Sequence, residues 1–336
     1  MAQVIDSRRI YTKSRLESLA AELPEAEALI GDRACVYVTG SGGRGEISEH
    51  SDLDLFIVSD VEVRKNERAS GEPVKPKLSR LDAICVKADL IKATTKLQFP
   101  PFSKDGKYLE VSTTEQLCEN LGKPEDDYAN TFTARLLLLL ESRPLLGRTA
   151  YQRAIDEVIN PYWADYEGRT DSFRPVFLIN DIARLWKTLC VNYEAYTERQ
   201  PDEKRAKRKL ANYKLKNSRV LTCYSAVLYL MQVFSEQKTV HKQDVRDMVS
   251  KSPTERLEWI AHQPGFEHAQ TIDRILTLYE DFLESTNQSE KDLIARFLDP
   301  EQERPLAARR QRVADTIADL LLKMATPNGL FRYLIV

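Results

Sequence analysis

Histidine and cysteine are scarce in this chain, with 4 and 5 copies among 336 residues. Cys35, Cys85, Cys118, Cys190 and Cys223 form no C-x-x-C pair and no histidines stand at zinc-ligand spacing, which argues against a structural zinc. Reduced, mostly buried thiols are the expectation. Long apolar runs are also missing: the leucine tract at 136–140 is far too short to span a bilayer. The first residues, MAQVIDSRRIYTK, hold no apolar core of signal-peptide length, so a cytoplasmic protein with no membrane partner is expected. Charge of one sign is absent too. A formal net charge of −2 gives no global signature of polyanion binding, so any nucleotide contact must come from a local patch. The chain shows neither an internal repeat nor a low-complexity segment. Its 30% charged and 42% apolar residues are ordinary for a globular protein, and its length suits two domains.

What is present is concentrated at 36–60, VYVTGSGGRGEISEHSDLDLFIVSD. The pattern predicts a strand at 34–38, a glycine-rich turn, a short polar connection and a second strand at 52–58. A strand's period of two places the Asp52 and Asp54 carboxylates on one face, while Leu53, Leu55 and Ile57 point the other way. Two like charges held side by side call for a cation, and carboxylate oxygens suit a hard divalent ion whose coordination a phosphate-bearing substrate completes. Upstream, Gly40, Gly42, Gly43 and Gly45 permit close backbone approach. If a helix starts there, their amides and the Ser41 hydroxyl face phosphate oxygens. Arg44, inside the same turn, joins Gly40 and Ser41 as a nucleotide-binding candidate.

The order strand, Gly-Ser, about ten residues, then Asp-x-Asp on the next strand resembles the signature of the polymerase-β-like nucleotidyltransferases. The wording GSGGRGEISEHSDLDL is similar to the branch of bacterial uridylyltransferases that modify the PII nitrogen-signalling proteins. The resemblance is specific over 36–58, looser to about Arg219, and absent beyond. It implies two-metal transfer of a nucleoside monophosphate from an NTP or dNTP to a hydroxyl, with Mg²⁺ (or Mn²⁺) ions held by Asp52 and Asp54 and pyrophosphate as the leaving group. It also implies a third metal-binding carboxylate on a neighbouring strand. A strand at 107–112 would set Tyr108, Glu110 and Ser112 on one face and Leu109 and Val111 on the other, which makes Glu110 the candidate. Asp82, Asp89 and Asp105 compete for that role.

The rest of the chain is expected to be mainly helical. One amphipathic helix leads into the first strand over 12–30, and a polar loop with Gly71 and Pro73 follows the second. From 76 to 98, Leu78, Leu81, Cys85, Ala88 and Ile91 trace a helical stripe with Asp82 and Asp89 beside it. A helix start is expected at Thr113 or Thr114. A buried helix over 126–142 follows, capped by Asp126 or Asp127 and stopped before Pro144. From about 145 glycines thin out and helical patterns recur at 151–160, 177–193, 207–237, 243–249, 270–284, 289–298 and 306–324. The expected fold is therefore an α/β (α+β) nucleotidyltransferase core with a small mixed sheet over 1–145, and an all-α helical bundle domain over 146–336.

Within the bundle, eight basic residues and no acidic one lie between Lys204 and Arg219. A solvated face is the ordinary fate of such a run. The resemblance offers another, since related enzymes hold the triphosphate with a lysine and a serine of the helical domain; Lys214, Lys216 and Ser218 match that pattern. The apolar tail from Leu330 is expected to pack on the body or on a second subunit, or to offer Tyr333 as an internal acceptor. The acceptor is left open among a nucleotide 3′-hydroxyl, giving a nucleotide signal or short oligonucleotide read by an effector protein as in bacterial antiviral defence, and a protein side chain. An inactive nucleotide-binding module or toxin–antitoxin partner is the third reading, disfavoured by the paired Asp52 and Asp54.

Overall fold

The computed structural model describes residues 3–62, 75–102, 106, 109–194, 202–326 and 329. It divides into two compact units, Arg8–Pro161 and Tyr162–Val336 with Met1–Ser7. Among the described residues no helix is long and apolar enough to cross a membrane.

In the first unit the chain runs α1 (Gln3–Ala21, of which Arg8 onward groups here), α2 (Pro24–Ile30), β1 (Ala34–Thr39), α3 (Gly40–Arg44), β2 (Asp54–Ser59), α4 (Arg80–Lys96), β3 (Val111–Thr113), α5 (Thr114–Glu119), α6 (Glu125–Tyr128), α7 (Thr131–Glu141), β4 (Arg143–Leu146) and α8 (Arg148–Ile159). The sheet order is β3-β2-β1-β4, with β3 parallel to β2 and the other pairs antiparallel. Alternation fixes the register. Val36, Val38, Leu55 and Ile57 face one core with Leu19, Leu23, Ile30, Val86 and Leu90, all at most 1% exposed. A slip of one residue would turn these side chains out, at about 1.5–3 kcal/mol for each large one. On the opposite face Tyr37 stacks on Phe56 at 5.5 Å between ring centroids and meets Tyr151 of α8 at 6.0 Å. Because α8 packs on β1 and β2, the division expected after residue 145 is drawn by contacts after Pro161.

Several elements differ from their expected form. The helix expected over 12–30 breaks at Pro24, which opens α2. β4, unexpected from the sequence, pairs with β1 through Val36–Leu146, Tyr37–Pro144 and Val38–Arg143. Its proline sits on an edge strand, where a missing N–H is tolerated. The helix expected over 126–142 is interrupted at Asn130, whose φ of 58° is left-handed. Asp126 caps nothing there. Its carboxylate accepts from Arg135 Nη1 at 2.9 Å, Arg135 Nη2 at 2.6 Å and Thr131 Oγ1 at 2.7 Å, and both charged side chains are fully buried. The helix start expected at Thr113 or Thr114 is a capping box: Thr113 Oγ1 accepts from Gln116 N–H while the Gln116 side chain accepts from Thr113 N–H. Of the expected stripe Leu78 packs in the core, but on α4 its continuation faces outward, with Leu81 at 74% and Ile91 at 49% exposure, while Ala83, Val86, Leu90 and Ala93 face the core.

The second unit contains α9 (Val176–Glu194), α10 (Asp202–Lys214), a π-helical turn (Leu215–Arg219), α11 (Val220–Gln237), α12 (Lys242–Val249), α13 (Pro253–Ala261), α14 (Ala269–Ser285), α15 (Glu290–Leu298) and α16 (Pro300–Ala325). It is helical as expected, with α13 added. The single helix expected over 207–237 is interrupted by the π turn, where Asn217 Nδ2 and Ser218 Oγ donate to the carbonyls of Tyr213 and Lys214 at 2.7 and 2.8 Å. Side chains there take carbonyls that regular α-helical N–H groups would occupy. The tail from Leu330, with Tyr333, lies outside the described residues.

The thiols are free. Burial pushes Cys35 and Cys223 up to about 12, and Cys118 up to about 11, whereas Cys85 is exposed on α4. A disulfide-exchange reagent at about pH 8 is expected to modify Cys85 fastest, and Cys35 and Cys223 only on unfolding, since the thiolate is the reactive form. Peptide mass mapping of the labelled cysteines checks the order; early labelling of Cys35 would contradict the buried sheet face.

Candidate active site

β1 ends at Thr39, and the chain turns at once into α3. Register places Thr39 opposite Asp54, and Thr39 Oγ1 donates to the Asp54 carbonyl at 3.4 Å. Gly40 follows with φ of +63°, and a Cβ built on it would lie 2.8 Å from Asp54 Oδ2. Only glycine leaves that space open beside the carboxylate. Asp52 and Asp54 are half-buried, whereas Leu53 and Leu55 are 2% and 1% exposed, so the expected alternation holds. It begins one step earlier than the strand: Asp52 lies in the connection preceding β2.

Beneath the turn is an ionic network that the local sequence does not announce. Glu141, the last residue of α7, accepts from Gly40 N–H with Oε1 at 3.2 Å and from Arg44 Nη1 with Oε2 at 2.9 Å. Arg44 Nε also donates to Glu46 Oε2 at 2.7 Å, and all three charged residues are buried. Arg143 Nε donates to the Gly43 carbonyl at 3.0 Å. The expectation that Gly40 and Arg44 reach phosphate is therefore corrected in part: the Gly40 amide and the Arg44 guanidinium are engaged by Glu141, and their visible work is to hold α3 in place. Ser41 remains half-buried in that short helix. Glu141 and Arg143 were missed because about a hundred residues separate them from the turn.

Gly43 is the tightest point. A Cβ there would sit 1.8 Å from the Glu141 carbonyl oxygen. Gly43→Ala is expected to destabilise the chain by about 2–3 kcal/mol through backbone displacement. A urea midpoint equal to that of the parent protein would show that α3 and α7 are not in this contact.

Glu110 is exposed and stands one residue before β3. Pairing of Ile57 with Val111, extended by one, sets it beside Phe56 on the sheet face away from Leu109 and Val111. That is the side of β2 to which the alternation assigns Asp54. Among the described residues no group of three or more His, Cys, Asp or Glu is placed to hold a metal. Asp82 pairs with Arg33 at 3.1 Å and Asp89 with Lys92 at 3.8 Å, while Asp105 lies outside the described residues. The Asp54 carboxylate beside the space left by Gly40, with Asp52 two residues earlier in the chain, suits a divalent ion that draws its remaining ligands from phosphate and water.

In the helical unit Lys214 is exposed, Lys216 half-buried and Ser218 buried, with a π turn over Leu215–Arg219. Ser218 spends its proton on the Lys214 carbonyl. Part of the basic run is structural: Lys207 pairs with Glu290 and Lys209 with Glu303, tying α10 to α15 and α16. The Lys207 hydrogen bond holds the Glu290 carboxyl below its ordinary value.

Residues 20–112 match the model of the nucleotidyltransferase domain family, a stretch that contains β1, the glycine turn, both aspartates and most of β3. No curated protein matches the chain.

Proposed function

We propose that the nucleotidyltransferase domain at 20–112 moves a nucleoside monophosphate from an NTP or dNTP to a hydroxyl acceptor, using a divalent ion, Mg²⁺ or Mn²⁺, held by Asp52 and Asp54. The observation that carries this is the open space at Gly40 against the Asp54 carboxylate, at the end of a strand whose turn is locked from beneath by Glu141. When bound, the ion neutralises triphosphate charge and favours the ionised form of the acceptor hydroxyl. The acceptor oxygen bonds to the α-phosphorus, the bond to the bridging oxygen breaks, and pyrophosphate leaves. The protein's share is placement. Asp52 and Asp54 set the charge at the strand entrance, and Ser41 and the backbone of α3 line the phosphate side. The Arg44–Glu46–Glu141 network keeps that backbone from reorganising during transfer. Glu110, on the same sheet face, is the residue we assign to the acceptor side.

We place the acceptor among nucleotide hydroxyls, so that the product is a nucleotide signal or short oligonucleotide. The support is architectural: a small mixed sheet followed by a helical unit resembles the bacterial defence nucleotidyltransferases. Incubating the purified protein with each labelled NTP and dNTP, with Mg²⁺ or Mn²⁺ and no added acceptor, tests both levels. Oligomeric or cyclic product is expected. Label attached to the protein would instead support a protein acceptor, and no incorporation with any nucleotide would overturn the transfer reaction.

A further inference from the structure

We propose that the outward face of α4 is a docking site for an amphipathic helix of another protein, one that carries acidic residues along the edge of its apolar seam. The inference is independent of the transfer reaction. It starts from a helix that is apolar on two sides. Ala83, Val86, Leu90 and Ala93 already supply the face that packs in the protein's own core. Leu81, Ile84 and Ile91 then lie outward at 74%, 54% and 49% exposure, with half-buried Ala88 between them. Positions 81, 84, 88 and 91 follow the alternating three- and four-residue spacing of a helix-pairing seam. A single exposed leucine means little, but this is an ordered apolar row opposite a completed core face, and among the described residues of its unit it stands exposed.

Charge selects the occupant. Arg80 and Lys87, seven residues apart, border one edge of the seam. On the other edge stand Cys85 and Lys92, the latter paired with Asp89 at 3.8 Å. A second copy of this chain fits poorly in either orientation: antiparallel pairing sets Arg80 against Lys87, and parallel pairing sets Lys87 against Lys92. Along the Arg80–Lys87 edge an acidic helix meets cations, while beside Lys92 the surface also carries Asp89, Glu22 and Glu25 and adds no selection for acid, so the acidic residues of the partner belong on the Arg80–Lys87 side.

The test uses two synthetic amphipathic peptides of about three heptads with leucine at both seam positions, one with glutamate and one with lysine at the flanking positions. Fluorescence anisotropy of the labelled peptides against the full chain is expected to show saturable binding of the glutamate peptide, at least about tenfold tighter than the lysine peptide. That peptide should also slow modification of Cys85, whose exposed thiol sits on the seam edge. Ile84→Ser should weaken binding by about tenfold without changing the circular dichroism spectrum, and Lys87→Glu should narrow or reverse the preference between peptides. Equal binding of both peptides, or no protection of Cys85, overturns the proposal. So does a dimer in sedimentation that Ile84→Ser dissociates, which would make a second copy the occupant. Seam-dependent binding to phosphatidylserine vesicles in place of the peptide overturns it as well.

Discussion

Asp54→Ala is expected to leave a folded protein whose nucleotidyl transfer is at least about a thousandfold slower, equivalent to about 4 kcal/mol of lost transition-state stabilisation. The fold is expected to survive because Asp54 joins the sheet through its backbone. Its carbonyl accepts from Thr39 and its register with β1 is a main-chain property, whereas its half-buried side chain lies outside the core. Removing the carboxylate deletes one of two acidic groups at the strand entrance and leaves Asp52 alone to hold a divalent ion beside the triphosphate. Thermal unfolding read beside initial rates separates the two effects. An Asp54→Ala protein that transfers nucleotide at the parental rate would end the proposed mechanism.

The largest effect on stability is expected from Arg135→Ala. Asp126 and Arg135 have side chains at 0% exposure, joined by two charge-assisted hydrogen bonds, with a third from Arg135 Nη1 to the Leu117 carbonyl at 2.8 Å. A buried pair of this kind is worth little against a well-packed apolar substitute, but removing one partner strands the other charge in a dry interior. Truncation should therefore cost about 3–5 kcal/mol. The paired replacement Asp126→Leu with Arg135→Met should recover most of it. Urea midpoints for the three proteins decide the matter; an unchanged midpoint for Arg135→Ala would mean that water reaches this site.

The same pair marks where sequence reading stops. An aspartate ahead of an apolar run is an ordinary cap by spacing, and nothing local says that its partner is nine residues onward in the core. The α4 stripe was misassigned for a related reason. Leu81, Cys85, Ala88 and Ile91 form as regular a row as Val86, Leu90 and Ala93, and periodicity does not distinguish two apolar faces of one helix. At Lys214 and Ser218 the local spacing did not reveal the π turn that the chain takes there.

The sequence by itself determined the first strand, the glycine turn, the face of the next strand that Asp54 opens, and a largely helical second part. These follow from alternation, glycine content and helical period within a few tens of neighbouring residues. Tertiary structure alone decided that Glu141 grips the turn, that Arg44 helps to hold it, that β4 joins the sheet beside β1, and which side of α4 faces outward. Those outcomes depend on which distant segments meet, and a carboxylate's hydrogen-bond partners are chosen by the packed chain, not by its neighbours in sequence.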